Sequence, residues 1–150
     1  MSTTLNIPGI AKIEYMAASG ITLPSYLEVQ HQLDISALVT GSFIEIDIIK
    51  RSASLNQKLS HENAGDIFEV DFPFNIAGNE SATINLLKEL RTRLYIFRIT
   101  DTSGQQYLIA HPDIRPNFTH QYSLKANPSG QRGYNCKITL KTPQGLIFIT

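Results

Sequence analysis

Four histidines (His31, His61, His111 and His120), one cysteine (Cys136) and 13 carboxylate side chains are the residues of this 150-residue chain whose types could do chemistry. Metal ligation needs imidazoles and carboxylates at close spacing, such as two histidines one helical turn apart. The nearest pair here, His111 and His120, stands nine positions apart with Asp113 between them. That spacing reads as solvated or loop histidines, so no metal or other cofactor is expected. A nucleophilic Cys136 would need a neighbouring histidine or cation to hold it as thiolate. It sits at an inward position of an alternating segment, where a cysteine is a small core residue. Serine, histidine and aspartate are all present, but no Gly-x-Ser-x-Gly elbow occurs. Glu45 with Asp47, and Glu69 with Asp71, are spaced for the wet face of a strand. A general acid–base pair would need at least one of each pair buried. Ser129-Gly130-Gln131-Arg132-Gly133 lacks the Lys-Ser/Thr ending of a phosphate loop and reads as a turn. No enzymatic activity is expected.

The elements that carry these residues are mostly strands. Phe43-Ile44-Glu45-Ile46-Asp47-Ile48 places Ile44, Ile46 and Ile48 on one face; Phe68, Val70 and Phe72 alternate in the same way, as do Cys136, Ile138 and Leu140. Lys12-Ile13-Glu14-Tyr15-Met16 is a weaker example. Leu94-Tyr95-Ile96-Phe97 is apolar at consecutive positions, which predicts a central strand covered on both sides. Turn residues at 101–104, 127–130 with Gly133, and 142–145 predict three hairpins, so that the last sixty or so residues form a meander. Residues 82–91 instead space Ile84, Leu87 and Arg91 along a helical stripe beside Leu86 and Leu90, with Asn79 or Ser81 to cap the start. Residues 20–36, with scattered Leu23, Leu27 and Leu33, fit a loop or a short irregular strand. The expected fold is mainly β: one domain over residues 1–150, an antiparallel sandwich or rolled barrel of about seven to eight strands. One helix, at about 80–91, packs on it.

Composition narrows the function. An apolar share of 42% is enough for a core without disulfides. A formal charge of zero and a pI near 6.9 speak against a nucleic-acid binder. Apolar runs fall far short of the roughly 20 residues of a membrane span. The start, Met-Ser-Thr-Thr-Leu-Asn, lacks the layout of a signal peptide. A lone cysteine suits a reducing compartment.

The distribution of charge says more than its total. Residues 1–81 hold four Lys and Arg against ten carboxylates, and residues 82–150 hold nine against three, balances of −6 and +6. Either acidic strands pair beside basic strands within one sheet, or the subunit is polar and suited to head-to-tail contacts. Residues 50–65 join two clear strands by a stretch longer than a hairpin needs. They read either as an arm that touches a neighbouring subunit or as a floppy loop. On the first reading Lys50, Arg51, Lys58, His61 and Glu62 are the candidate contact residues.

Several segments together resemble a family of small proteins from phages and prophages of gut Bacteroidetes-type bacteria. They are Ile13-Glu14-Tyr15, Glu62-Asn63-Ala64-Gly65-Asp66-Ile67-Phe68-Glu69, the helix ending Leu90-Arg91 with Tyr95-Ile96-Phe97-Arg98-Ile99-Thr100-Asp101 after it, Gly104 with Tyr107-Leu108-Ile109, and Gly133-Tyr134-Asn135-Cys136-Lys137-Ile138-Thr139-Leu140. The resemblance implies a tail-associated structural protein of the virion with no catalytic motif. Such a protein would partner other copies of itself and other virion proteins as a homo-oligomer, in the virion or the host cytoplasm, without membrane or nucleic acid. A monomeric sandwich that binds a protein, peptide or carbohydrate is the alternative.

Overall fold

The computed structural model describes residues 9–29, 31–49, 52–63, 65–77, 81–124 and 132–150. In chain order these form β1 (Ile10–Ala17), β2 (Gln32–Leu33), β3 (Ile44–Ile46), β4 (Asn56–Glu62), β5 (Gly65–Ala77), helix α1 (Ser81–Leu90), β6 (Tyr95–Asp101), β7 (Gln106–Ile109), β8 (Asn117–Leu124), β9 (Arg132–Thr142) and β10 (Ile147–Ile149). The strands make two sheets, one of six in the order β2-β10-β7-β6-β1-β3 and one of four in the order β4-β5-β9-β8. The fold is thus mainly β and sandwich-like with a single helix among the described residues, and its ten strands exceed the seven to eight expected. The additional strands are short or polar, as β2, β3 and β4 illustrate.

The main core lies where alternate side chains of the two sheets meet. Phe68, Val70, Phe72, Phe74 and Ile76 of β5 and Cys136, Ile138 and Leu140 of β9 face Ile13, Phe97, Ile99 and Ile109 of the larger sheet, all buried. Each fully buried Phe or Ile in this set contributes about 1.5–3 kcal/mol. Leu87 and Leu90 of α1 join the same cluster, whereas Ile84, expected on the buried stripe, is 37% exposed. The helix links β5 of one sheet to β6 of the other, so its apolar side closes the space between them.

The consecutive apolar residues of β6 are explained by a second core. Ile96 points away from Phe97 and Ile99 and packs with Met16, Leu108, Ala110 and Ile147 on the far face of the six-stranded sheet. Residues 18–43 wrap over that face and supply Ala18, Ile21, Leu27 and Ile35, with Leu23, Leu33, Leu38, Val39 and Phe43 partly buried beside them. The leucines that look scattered in sequence are the cover of a sheet buried on both sides.

Two expected hairpins are present and one is not. β6 and β7 pair antiparallel around a turn in which Gly104 takes φ +92°, and β8 pairs antiparallel with β9; the expected turn residues 127–130 lie outside the described residues, and Gly133 stands in β9 across from Ala77 rather than in the turn. The turn at 142–145 is a corner that carries the chain from the four-stranded sheet to the six-stranded one, where β10 lies between β7 and β2. Side chains replace the ladder there: Gly145 N–H donates to Thr142 Oγ1 at 2.8 Å, and Leu146 N–H donates to Gln57 Oε1 at 2.8 Å.

Residues 50–65 are not one long loop. Asn56 to Glu62 form β4, antiparallel to β5. An edge strand with one apolar residue, Leu59, in seven shows no alternation to read. β4 begins only past Pro73, whose lack of an N–H ends regular pairing on that side of β5. Upstream of β4 the bonds are irregular: Ser54 N–H to the Pro73 carbonyl, Ile49 N–H to the Asn75 carbonyl, and Asn75 N–H to Ser52 Oγ.

Candidate functional site

Of the five residues read as subunit contacts, Lys58, His61 and Glu62 stand together on β4, an outermost strand of the four-stranded sheet. Lys50 and Arg51 lie outside the described residues. Lys58 is directly across from Glu69, and His61 Nδ1 is 2.6 Å from Asp66 Oδ1 in an exposed hydrogen bond near the hairpin turn. All three contact candidates are exposed.

The other residues with chemical potential are kept apart. His111 Nδ1 accepts the Asp113 N–H at 3.1 Å, which leaves the ring proton on Nε2 to donate to Gln144 Oε1 at 2.8 Å. His120 stands on β8 in an aromatic row, 6.0 Å from the ring of Phe118 and 5.7 Å from that of Tyr134. No group of three or more His, Cys, Asp or Glu is placed to hold a metal among the described residues. Cys136 is 3% exposed in the main core, and burial pushes its thiol up to about 12. A thiol so placed is not a nucleophile near neutral pH. Glu69 and Asp71 lie on the outer face of the four-stranded sheet beside lysines of β9, at 4.0 Å from Lys141 and 3.3 Å from Lys137. Glu45 and Asp47 are exposed.

Two features went unread in the sequence. The first is Glu14, buried on the far face of the six-stranded sheet and bound in bidentate fashion by Arg98, its cross-strand partner. Arg98 Nη2 donates to both carboxylate oxygens at 2.9 and 2.8 Å, Nε donates to one at 3.0 Å, and the guanidinium lies 4.0 Å from the centre of the Phe43 ring. Aromatic cover of this kind shields a charged pair from water. The second is a cleft of about 460 Å³ at the end of β1, lined by Tyr15, Tyr95, Ile44, Glu89, Thr40 and Ser42 among others. The Tyr15 and Tyr95 rings meet edge-on at 5.4 Å; burial, then Glu89, then Tyr95 push the Tyr15 hydroxyl above its ordinary range. Ile44, expected to face inward, opens onto this cleft and is 54% exposed. No histidine or cysteine lines it.

The outermost strands are the remaining feature. β4 and β8 each pair on one side only among the described strands, and each shows a large apolar side chain: Leu59 is 46% and Tyr122 41% exposed. Tyr122 ends a row of rings that begins in the core, from Phe74 through Phe118, His120 and Tyr134. An unpaired strand with apolar side chains is a template for another strand. No helix among the described residues is long and apolar enough to cross a membrane. Comparisons of the chain with protein-family models, curated proteins and solved structures find no match.

Proposed function

We propose that the chain is a non-enzymatic structural protein that acts by associating with copies of itself, of the phage tail-associated kind that its segments resemble. One observation carries the self-association. The four-stranded sheet ends on both sides in strands of seven and eight residues that lack an outer partner among the described residues, each with a half-exposed apolar side chain. Stable monomers blunt such edges with short strands, prolines or inward charges. β2 and β3, of two and three residues, are blunted by their length and β4 carries Lys58 and Glu62 on its edge, whereas the eight residues of β8 include no charge and no proline. The dispersal of His, Cys and carboxylates described above supports a role without catalysis. In this role the partners are other copies and other virion proteins, in the virion or in the host cytoplasm.

A second reading, a monomeric binding module, is favoured by the Tyr15–Tyr95 cleft, whose volume falls in the range of small-ligand pockets. Light scattering over a concentration and salt series separates the two. Self-association predicts particles heavier than a dimer whose mass falls as salt screens the charged strands. A salt-independent monomer at high concentration would leave only the binding module.

A further inference from the structure

Resting on the binding-module reading above, we infer that the cleft beside Tyr15 and Tyr95 takes an organic cation: a guanidinium or ammonium group on an apolar stem. The site does not depend on contacts between copies.

The apolar wall of the cleft comes from three neighbouring strands. Ile44 of β3 is in register with Tyr15 of β1, and Tyr95 of β6 with Ala17, two positions further along β1. Tyr15 is buried and Tyr95 partly buried against the main core, so both rings are held in place by packing. Helix α1 supplies the charge. Its Leu87 and Leu90 enter the core, while Glu89, between them in sequence, lines the cleft. Thr92 fixes that last turn, its N–H and its hydroxyl both donating to the Glu89 carbonyl at 3.1 and 2.6 Å.

Three sources of negative potential meet there. First, the Glu89 carboxylate is exposed and is in no ion pair among the described residues. Among the described residues no Lys, Arg or His lines the cleft. Second, Glu89 stands in the final turn of α1, the end at which a helix favours a cation. Lys88, the basic residue of that turn, does not line the cleft. Third, each tyrosine ring carries a negative face. The field of the carboxylate reaches the buried wall: after burial, Glu89 is the next largest cause that holds the Tyr15 hydroxyl above its ordinary range.

The same chemistry is at work elsewhere in the chain. Arg98 is held by the Glu14 carboxylate and lies 4.0 Å from the centre of the Phe43 ring. The cleft repeats the carboxylate and the rings around about 460 Å³ of open space, enough to admit a side chain from outside. An anion would meet like charge there. A neutral sugar could use the rings and the Thr40 and Ser42 hydroxyls but would gain nothing from the negative potential.

Titration of the full chain, followed by its amide NMR spectrum, tests the site. The cationic probes are Nα-acetyl-arginine amide, Nα-acetyl-lysine amide and n-butylammonium; the neutral ones are Nα-acetyl-norleucine amide and methyl glucoside. The arginine and lysine amides are expected to shift the signals of Tyr15, Gly41, Ser42 and Glu89 saturably, and to bind about three- to fivefold more tightly than the norleucine amide. Glu89→Gln, at an exposed helix position, is expected to cut that preference to less than about twofold. Loss of the preference in high salt gives the same reading on the unaltered protein if the variant does not fold. Either rank of n-butylammonium supports the site: equality with the lysine amide points to free amines, and weaker binding to a side chain of a protein partner. Equal affinity for the cationic and neutral amides, a preference that survives Glu89→Gln, or tighter binding of methyl glucoside overturns the cation site and leaves a pocket for neutral ligands. If no probe shifts these signals, the cation site and the binding-module reading fall together.

Discussion

At Glu14 a carboxylate is 7% exposed, and the Arg98 guanidinium supplies three hydrogen bonds to it. Removing one member of a buried pair strands the other charge, which costs about 3–5 kcal/mol. Because the Arg98 side chain keeps 21% exposure, the lower end applies. Glu14→Ala is expected to lower stability by about 3 kcal/mol in urea unfolding. The double replacement Glu14→Leu with Arg98→Met should cost clearly less, since no charge is then left behind the Phe43 ring. Asp101 offers a different test. Its burial, which raises the carboxyl pKa, is outweighed by hydrogen bonds from the Ser103 hydroxyl, the Tyr107 hydroxyl and the Ser103 and Gln105 N–H groups, and the carboxyl titrates below its usual range. The stabilisation from a lowered carboxylate is complete above the unfolded-state value of about 3.9 and is lost as pH falls through the folded-state value. Asp101→Asn is expected to flatten the stability profile below about pH 4 and to shift it little in shape above. An unchanged acid limb would assign the acid sensitivity to other carboxylates.

Among the elements, the corner at 142–145 decides which sheet the last strand enters. Gly145 has φ +76°, a conformation that opposes any β-carbon, and a β-carbon there would run into Gln57 Oε1 and the Phe68 side chain. Gly145→Ala is therefore expected to destabilise by more than the 1 kcal/mol or so of an ordinary glycine replacement. A thermal melt within a degree of the unaltered protein would show that the corner yields. Nothing in Thr142-Pro143-Gln144-Gly145 distinguishes this corner from a hairpin turn, since the Gln57 side-chain amide that holds it is distant in sequence. Elements that bury one face were legible: β5, β9 and α1 announce themselves through Phe68, Val70 and Phe72, through Cys136, Ile138 and Leu140, and through Leu87 and Leu90. So was β6, whose unbroken apolar run matches a sheet covered on both sides. β4 was not, because an edge strand needs no apolar alternation, and three of its residues, Lys58, His61 and Glu62, were legible only as contact candidates. Tyr122 and Leu59 were missed because one exposed apolar residue in a polar strand carries no periodic signal. Glu14 and Arg98 stand far apart in sequence and meet only through the β1–β6 register.

Across the whole molecule, the acidic first half and basic second half interleave. Glu14 of β1 meets Arg98 of β6, while Glu69 and Asp71 of β5 lie beside Lys141 and Lys137 of β9. Much of the −6 and +6 division is thus matched within the subunit, by exposed pairs worth no more than about 1 kcal/mol each on the four-stranded sheet. The same interleaving governs how the chain reaches its folded state. β10, the last in chain order of the described strands, belongs inside the six-stranded sheet between β2 and β7. Until residues 147–149 leave the ribosome, β2 lacks its partner among the described strands and β7 keeps a bare flank beside Leu108. Translation supplies residues one after another at roughly 5–20 per second, so this sheet cannot close as it is made: its completion waits for residues 147–149, and until then the growing chain holds adhesive backbone exposed.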